Sequence, residues 1–296
     1  TQSYQLHYGD VMVYGRYTGL MHAFLGNSSG NLIPGWSDVT THGDNIGTGD
    51  FNSDNTMDLA TFLELTDHIK IFDGNGSGGF LTTDSIPLPF DCYEGWVTNG
   101  DMNNDGNMDI VFGFEILSDS YYGILLNNGI GGFLPLVYDT VSSTSGFERI
   151  EAGLLNSDNI VDIVIFHDDS KLSVLTGLGN ATYSSPVVYT TPHFNYTQLE
   201  LAHMDYDPYA DICLNNGSYL DVYYGTSTGT FLAPISYFAG GTRIAVADLN
   251  GDWYTDFAVI QYGTIHVNVG DGNRNFQISD TSFCTTHDGS GLYELC

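Results

Sequence analysis

Apolar residues in this chain come in short runs, and segments rich in Gly, Asn and Asp separate them. That alternation is the signature of short strands joined by tight turns. Toward the end of the first half it predicts strands over 95–100, 109–114, 121–126 and 133–138. Four such strands then recur in each successive segment of 45–53 residues, the spacing at which one nine-residue pattern starts again. Four strands per unit of that length is the pattern of a β-propeller blade. The expected fold is therefore all-β, a propeller of four-stranded blades, with six favoured and seven possible. The repeats fall at about 1–45, 46–94, 95–147, 148–197, 198–240 and 241–280, followed by a closing or capping tail at 281–296.

The nine-residue pattern occupies 50–58, 101–109, 154–162, 203–211 and 248–256. A small residue precedes each copy (Gly49, Gly100, Gly153, Ala202, Ala247), and position 2 is always apolar. An apolar residue follows each copy (Leu59, Ile110, Ile163, Ile212, Phe257). An aromatic residue comes later in every repeat: Phe80, Phe133, Tyr183, Phe231 and Phe276. A truncated copy opens the chain at Asp10-Val11-Met12-Val13.

Positions 3, 5 and 9 carry oxygen-bearing side chains in every copy, and position 1 does so in three. They are Asp50, Asn52, Asp54 and Asp58; Asp101, Asn103, Asp105 and Asp109; Asn156, Asp158 and Asp162; Asp205, Asp207 and Asp211; and Asp248, Asn250, Asp252 and Asp256. Fourteen of the 29 Asp residues lie in these loops. Ca²⁺ takes six to eight oxygen ligands, and a loop of alternating carboxylates supplies them. The expectation is three to five Ca²⁺ sites, set against the alternative of solvated Asx turns. An EF-hand is excluded, because its twelfth position needs Glu and here holds Thr61, Phe112, Ile165, Leu214 or Val259. Two loops are damaged: Leu154 replaces the first acid in one, and His203 and Pro208 alter another.

The loop, its small and apolar flanks and its repetition resemble the FG-GAP/VCBS repeat family, the propeller of integrin α-subunits. The match runs over roughly 5–280, although the Phe-Gly and Gly-Ala-Pro signatures are largely absent. The resemblance implies Ca²⁺ between the first two strands of a blade, an extracellular setting, and adhesion or ligand recognition.

Charge narrows the partners. The 296 residues include 36 Asp+Glu against 6 Lys+Arg, a formal net charge of −30. Binding to nucleic acid needs basic patches, so that class is excluded. Docking on an anionic membrane is disfavoured for the same reason. The chain is 42% hydrophobic and 14% aromatic, enough to build a core despite the charge.

Five Asn-x-Ser/Thr sequons occur, at Asn27, Asn75, Asn180, Asn195 and Asn216. The first three fall in the turn between the third and fourth strands of their repeats. Four cysteines allow three pairings; Cys284 with Cys296 is the expected bridge, and Cys213 reads as a buried thiol. At the opposite end of the strands, longer and more varied connections such as 64–68, 115–121 and 191–196 are rich in aromatic and acidic residues. Variable loops on a rigid scaffold are where recognition usually lies.

No nucleophile elbow, phosphate loop, His-Glu-x-x-His or Cys-x-x-Cys occurs, and His167-Asp168-Asp169 and Asp67-His68 are weak catalytic candidates. The resulting expectation is a secreted or cell-surface, Ca²⁺-stabilised, non-catalytic module that recognises a glycan or protein. A structural protomer that assembles with its own copies in a glycosylated filament or surface coat is the alternative, and a polysaccharide-acting enzyme the second alternative.

Overall fold

The computed structural model describes residues 11–15, 20–26, 31–39, 45–63, 67–89, 91–142, 146–241, 243–261 and 264–283. Cys284, Cys296 and Asn27 lie outside them. Every regular element among the described residues is a β-strand. None of their segments forms a helix long and apolar enough to cross a membrane.

Two compact units divide the chain, 1–150 with 179–181 and 151–178 with 182–296. The first unit holds β1 (Val11–Gly15), β2 (Leu20–Gly26) and β3 (Leu32–Val39) as a three-stranded sheet. It also holds a sheet of β4 (Gly47–Gly49), β5 (Asp58–Leu63), β6 (His68–Gly74) and β7 (Phe80–Pro87). Its third sheet comprises β8 (Tyr93–Gly100), β9 (Asp109–Ile116), β10 (Asp119–Leu125) and β11 (Val137–Ser142).

The fourth sheet opens with β12 (Phe147–Gly153), whose first residues belong to the first unit, and continues with β13 (Asp162–His167), β14 (Lys171–Leu175) and β15 (Val187–Thr190). The second unit adds a sheet of β16 (Gln198–Ala202), β17 (Asp211–Asn215), β18 (Tyr219–Tyr223) and β19 (Ile235–Phe238). It ends with β20 (Arg243–Ala247), β21 (Asp256–Gln261), β22 (Thr264–Gly270) and β23 (Phe276–Phe283). In every sheet, spatial order follows chain order. Each is thus an up-and-down meander, and in the four-stranded sheets both odd-numbered turns share one end.

Burial follows strand position. The second strands β5, β13 and β17 are buried at every residue, whereas the outermost strands β15 and β19 are largely exposed. A strand covered on both faces reads as a continuous apolar run, which is why these segments lack alternation. In the first unit the core joins Phe51, Phe62, Ile71, Val97, Phe112 and Phe114 across neighbouring sheets. In the second, Val164, Phe166, Leu199, Ile212, Leu214 and Tyr223 form one cluster, and Met204, Cys213, Val222, Ile244, Phe257 and Val259 another.

The fourth strands start later than the hydrophobic pattern predicts wherever proline intervenes. Phe133, Tyr183 and Phe231 form only single bridges, to Asn127, Gly177 and Gly225. Pro135, Pro186 and Pro234 follow, and the continuous strand begins at Val137, Val187 or Ile235. Proline has no N–H to give the ladder. The second and sixth repeats lack that proline. Their fourth strands run unbroken from Phe80 and Phe276, opposite register shifts at Ile71/Phe72 and Val267/Asn268.

Two side-chain amides join neighbouring sheets. Asn45 accepts from the amide of Val97 at 2.7 Å and donates to its carbonyl at 2.6 Å. Gln198 does the same with Ile244, at 2.8 and 2.9 Å. Val97 and Ile244 occupy the same place in their repeats, four residues before the Asp loop.

Candidate functional site: the Asp loops and the opposite strand ends

The Asp loops connect the first and second strands. The small residue before the loop is the cross-strand partner of the ninth-position Asp, as in Gly49↔Asp58, Gly100↔Asp109, Ala202↔Asp211 and Ala247↔Asp256. The ninth-position carboxylates of Asp58, Asp109, Asp162, Asp211 and Asp256 are at most 1% exposed.

Each of these five carboxylates accepts a backbone amide on both oxygens. One oxygen receives the amide of position 2 (Phe51, Met102, Leu155, Met204 or Leu249) at 2.7–3.1 Å. The other receives the amide at the end of the third strand or just beyond it: Gly74, Asn127, Gly177, Gly225 or Gly270, at 2.8–2.9 Å. The four glycines are sterically required. A Cβ at Gly74, Gly177, Gly225 or Gly270 would lie 2.0–2.4 Å from the carbonyl oxygen of Met57, Val161, Ala210 or Thr255, the eighth loop residue. The ninth Asp therefore fastens the loop to the third strand. Burial pushes Asp109 and Asp162 up to about 6 and Asp211 up to about 7, against the lowering effect of their amide donors.

Positions 1, 3 and 5 are different. In all five loops the amide of position 5 donates to the side-chain oxygen of position 3 (Asn52, Asn103, Asn156, Asp205, Asn250) at 2.7–3.0 Å. The amide of position 7 donates to the carboxylate of position 5 (Asp54, Asp105, Asp158, Asp207, Asp252) at 2.7–2.9 Å. In the three complete loops, Asp50, Asp101 and Asp248 also accept the amide of position 6 at 2.8–2.9 Å. These are nested Asx turns. Asp54 is held below its usual range by the hydroxyl and amide of Thr56, and Asp248 by amides led by that of Trp253.

The donor set at positions 1, 3 and 5 is oxygen only and largely anionic, the chemistry a hard cation such as Ca²⁺ takes. Its arrangement is less complete. Both ninth-position oxygens are engaged by amides, and among the described residues no three Asp, Glu, His or Cys side chains form a group that could hold a metal ion. The set fits Ca²⁺ in kind, with the ninth Asp committed to the backbone.

The damaged loops depart further. Leu154 is exposed where an acid would stand. In the loop at 203–211, no residue takes a positive φ, unlike the loops containing Ser53, Asn104, Asn159 and Trp253. Its Asp205 pairs with Arg274 from the turn between β22 and β23.

Among the sequons, Asn75 and Asn180 are exposed in turns between the third and fourth strands. Asn195 is exposed in the connection from β15 to β16, and Asn216 is half-buried in the turn from β17 to β18. Cys92 and Cys213 are both buried thiols. His167 is buried, with Nε2 2.8 Å from the Ser173 hydroxyl, and Asp67 accepts the amide of Cys92.

A second cluster lies at the opposite strand ends. Asp221 on β18 is buried and takes the hydroxyls of Tyr196 and Ser236 together with His193 Nδ1, the last at 2.8 Å. The sequence marks 191–196 as a varied aromatic connection, but gives no sign that Asp221, two residues into a strand, would meet it.

Among solved structures, the chain is similar to an Agrocybe aegerita lectin that recognises non-reducing terminal N-acetylglucosamine. The TM-score is 0.66 at 17% identity, covering 94% of this chain and 77% of that one. It is also similar to the lectin BP39L of Burkholderia pseudomallei (TM-score 0.63, 13% identity, 92% and 83% covered). A third is the periplasmic gluconolactonase of Pseudomonas aeruginosa (TM-score 0.61, 11% identity, 92% and 81% covered). No protein-family model matches the chain, and no curated sequence does. These likenesses are to the fold: all-β, built from antiparallel four-stranded sheets, and propeller-like.

Proposed function

We propose that this chain is an extracellular propeller of the FG-GAP/VCBS type, with six blades, that recognises a glycan without catalysing its conversion. In this reading Ca²⁺ binds the complete Asp loops at 50–58, 101–109 and 248–256 and stiffens the frame. One observation carries the recognition role. Aromatic rings stand exposed at strand ends and connections of the second unit, as at Phe194 and Phe238, where solvation would favour polar side chains. The two lectins among the similar structures support a glycan as the ligand class. Exposed Asn75 and Asn180 in sequons support a setting outside the cell.

The test is a glycan array probed with the whole protein in Ca²⁺ and again in EDTA. Selective binding of neutral glycans is expected. Absence of binding together with hydrolysis of a polysaccharide would replace the reading with an enzymatic one.

The protomer reading draws on a separate observation. Val187 and Val188 on β15 and Ile235 on β19 are exposed on outermost strands. Apolar edge strands are templates for pairing with another chain. Concentration-dependent light scattering in the absence of glycan would favour it.

A further inference from the structure

We propose that the end of the β16–β19 sheet is a saccharide-binding subsite for a neutral pyranose ring, in which buried Asp221 orients His193 beside an aromatic platform of Tyr219 and Phe238. The proposal rests on the recognition reading above and says where that recognition takes place.

Register builds the site. Tyr219 pairs with Phe238 and Asp221 with Ser236 across β18 and β19. Alternate residues of a strand share a face, so these four side chains stand on one side of the sheet. The connection carrying His193 and Tyr196 meets them there.

A buried carboxylate is costly unless its hydrogen bonds are met. Asp221 meets them with three side chains from two other segments: the Ser236 and Tyr196 hydroxyls and His193 Nδ1 at 2.8 Å. The Tyr196 hydroxyl also accepts the His193 amide at 3.2 Å, and the Thr191 hydroxyl donates to the His193 carbonyl at 2.8 Å. The imidazole is thus fixed in position through Nδ1, and Nε2 is the ring nitrogen left for a ligand hydroxyl.

The apolar half of the site is equally ordered. His193 lies flat on Tyr219, with centroids 4.5 Å apart and planes 5° from parallel. Tyr219 meets Phe238 edge to face at 6.2 Å and 84°. Phe238 nevertheless remains 69% exposed and Tyr219 37%. Two aromatic rings held in place and open to water, next to one oriented polar nitrogen, match a sugar ring with an apolar C–H face and a rim of hydroxyls. The net charge of −30 repels anionic sugars, which makes the ligand a neutral one.

The experiment is calorimetric titration of the protein, produced without N-glycans because sequons at Asn195 and Asn216 lie on the adjoining connections. The probes are chitotriose, N-acetyllactosamine and mannotriose. Phe238→Ala, Tyr219→Ala and His193→Gln are compared with wild type and with Ile130→Ser, a change at an exposed turn of the first unit. Wild type and Ile130→Ser should bind at least one probe alike, and each of the other three should weaken it about tenfold or more. Phe238→Ala removes an exposed ring, so its folding is not at issue. Binding by Phe238→Ala and Tyr219→Ala within about twofold of wild type would overturn the subsite and leave the recognition reading standing. Failure of wild type to bind any probe would overturn both.

Discussion

Arg274 donates Nε to the carboxylate of Asp205 at 2.7 Å, and its guanidinium stands 4.2 Å over the ring of Tyr224. The carbonyl of Arg274 in turn accepts the hydroxyl of Tyr237. This ion pair sits in the one loop whose first position is His203 and whose turn is altered by Pro208. Here the chain itself delivers a positive charge to the third loop position. The loop at 203–211 should therefore take no Ca²⁺, and titration should give the same stoichiometry in wild type and in His203→Ala. Arg274→Met should leave a nearly buried carboxylate uncompensated and cost about 2 kcal/mol in denaturant unfolding.

The complete loops carry the metal prediction. A ligand at 100 times its dissociation constant stabilises by about 2.7 kcal/mol per site. Chelation should lower the melting temperature by several degrees, and Asp105→Ala should reproduce part of that loss in Ca²⁺ while changing little in EDTA. Identical melting with and without Ca²⁺, on protein shown to be metal-free, would remove the metal from the account.

The ninth position should behave in the opposite way. Asp211→Ala strips the acceptor from two buried amides, those of Met204 and Gly225. A cost of about 3–5 kcal/mol follows, with or without Ca²⁺. Asp54→Ala, at an exposed fifth position, should cost about 1 kcal/mol or less in EDTA. Equal losses for the two variants in EDTA would contradict the division of labour within the loop.

Sequence made the repeat, its strands and the Asp register readable, because position 2, the small flank and the apolar follower all recur with it. It could not separate the ninth Asp from the fifth. Both positions hold Asp in all five loops, and only the partner at Gly74 or Gly225, 14–16 residues on, tells them apart. The amides of Asn45 and Gln198, the pairing of Arg274 and the meeting of His193 with Asp221 span 28–69 residues, and each occurs in too few repeats to leave a periodic trace.

Glycine supplies a further contrast. At Gly225 a Cβ would lie 2.4 Å from the Ala210 carbonyl oxygen, whereas at Gly106 it would meet nothing within 4 Å. Gly225→Ala should displace backbone and destabilise by about 3 kcal/mol. Gly106→Ala meets only the strain of its positive φ, about 1 kcal/mol. Urea denaturation of both variants reads the difference directly.

The thiols of Cys92 and Cys213 should resist alkylation in the folded protein. Burial, reinforced by Asp67 and Asp91, pushes Cys92 up to about 12, and burial raises Cys213 well above its ordinary value. The thiolate is the reactive species, so almost none is present at pH 8. Peptide mapping after iodoacetamide should find both unmodified in native protein and both modified in urea.

The clasp between the ninth Asp and the end of the third strand closes within one repeat, its partners never more than 18 residues apart. Neighbouring sheets meet through packed apolar side chains and through amides such as Asn45 and Gln198, not through the clasp. A duplicated segment of this gene would arrive with its own turn already fastened and only its joints to the neighbours left to match. Copy number can then change one whole repeat at a time. A copy whose loop has lost its acid, like the one with Leu154, keeps the clasp and remains a sound piece of the frame.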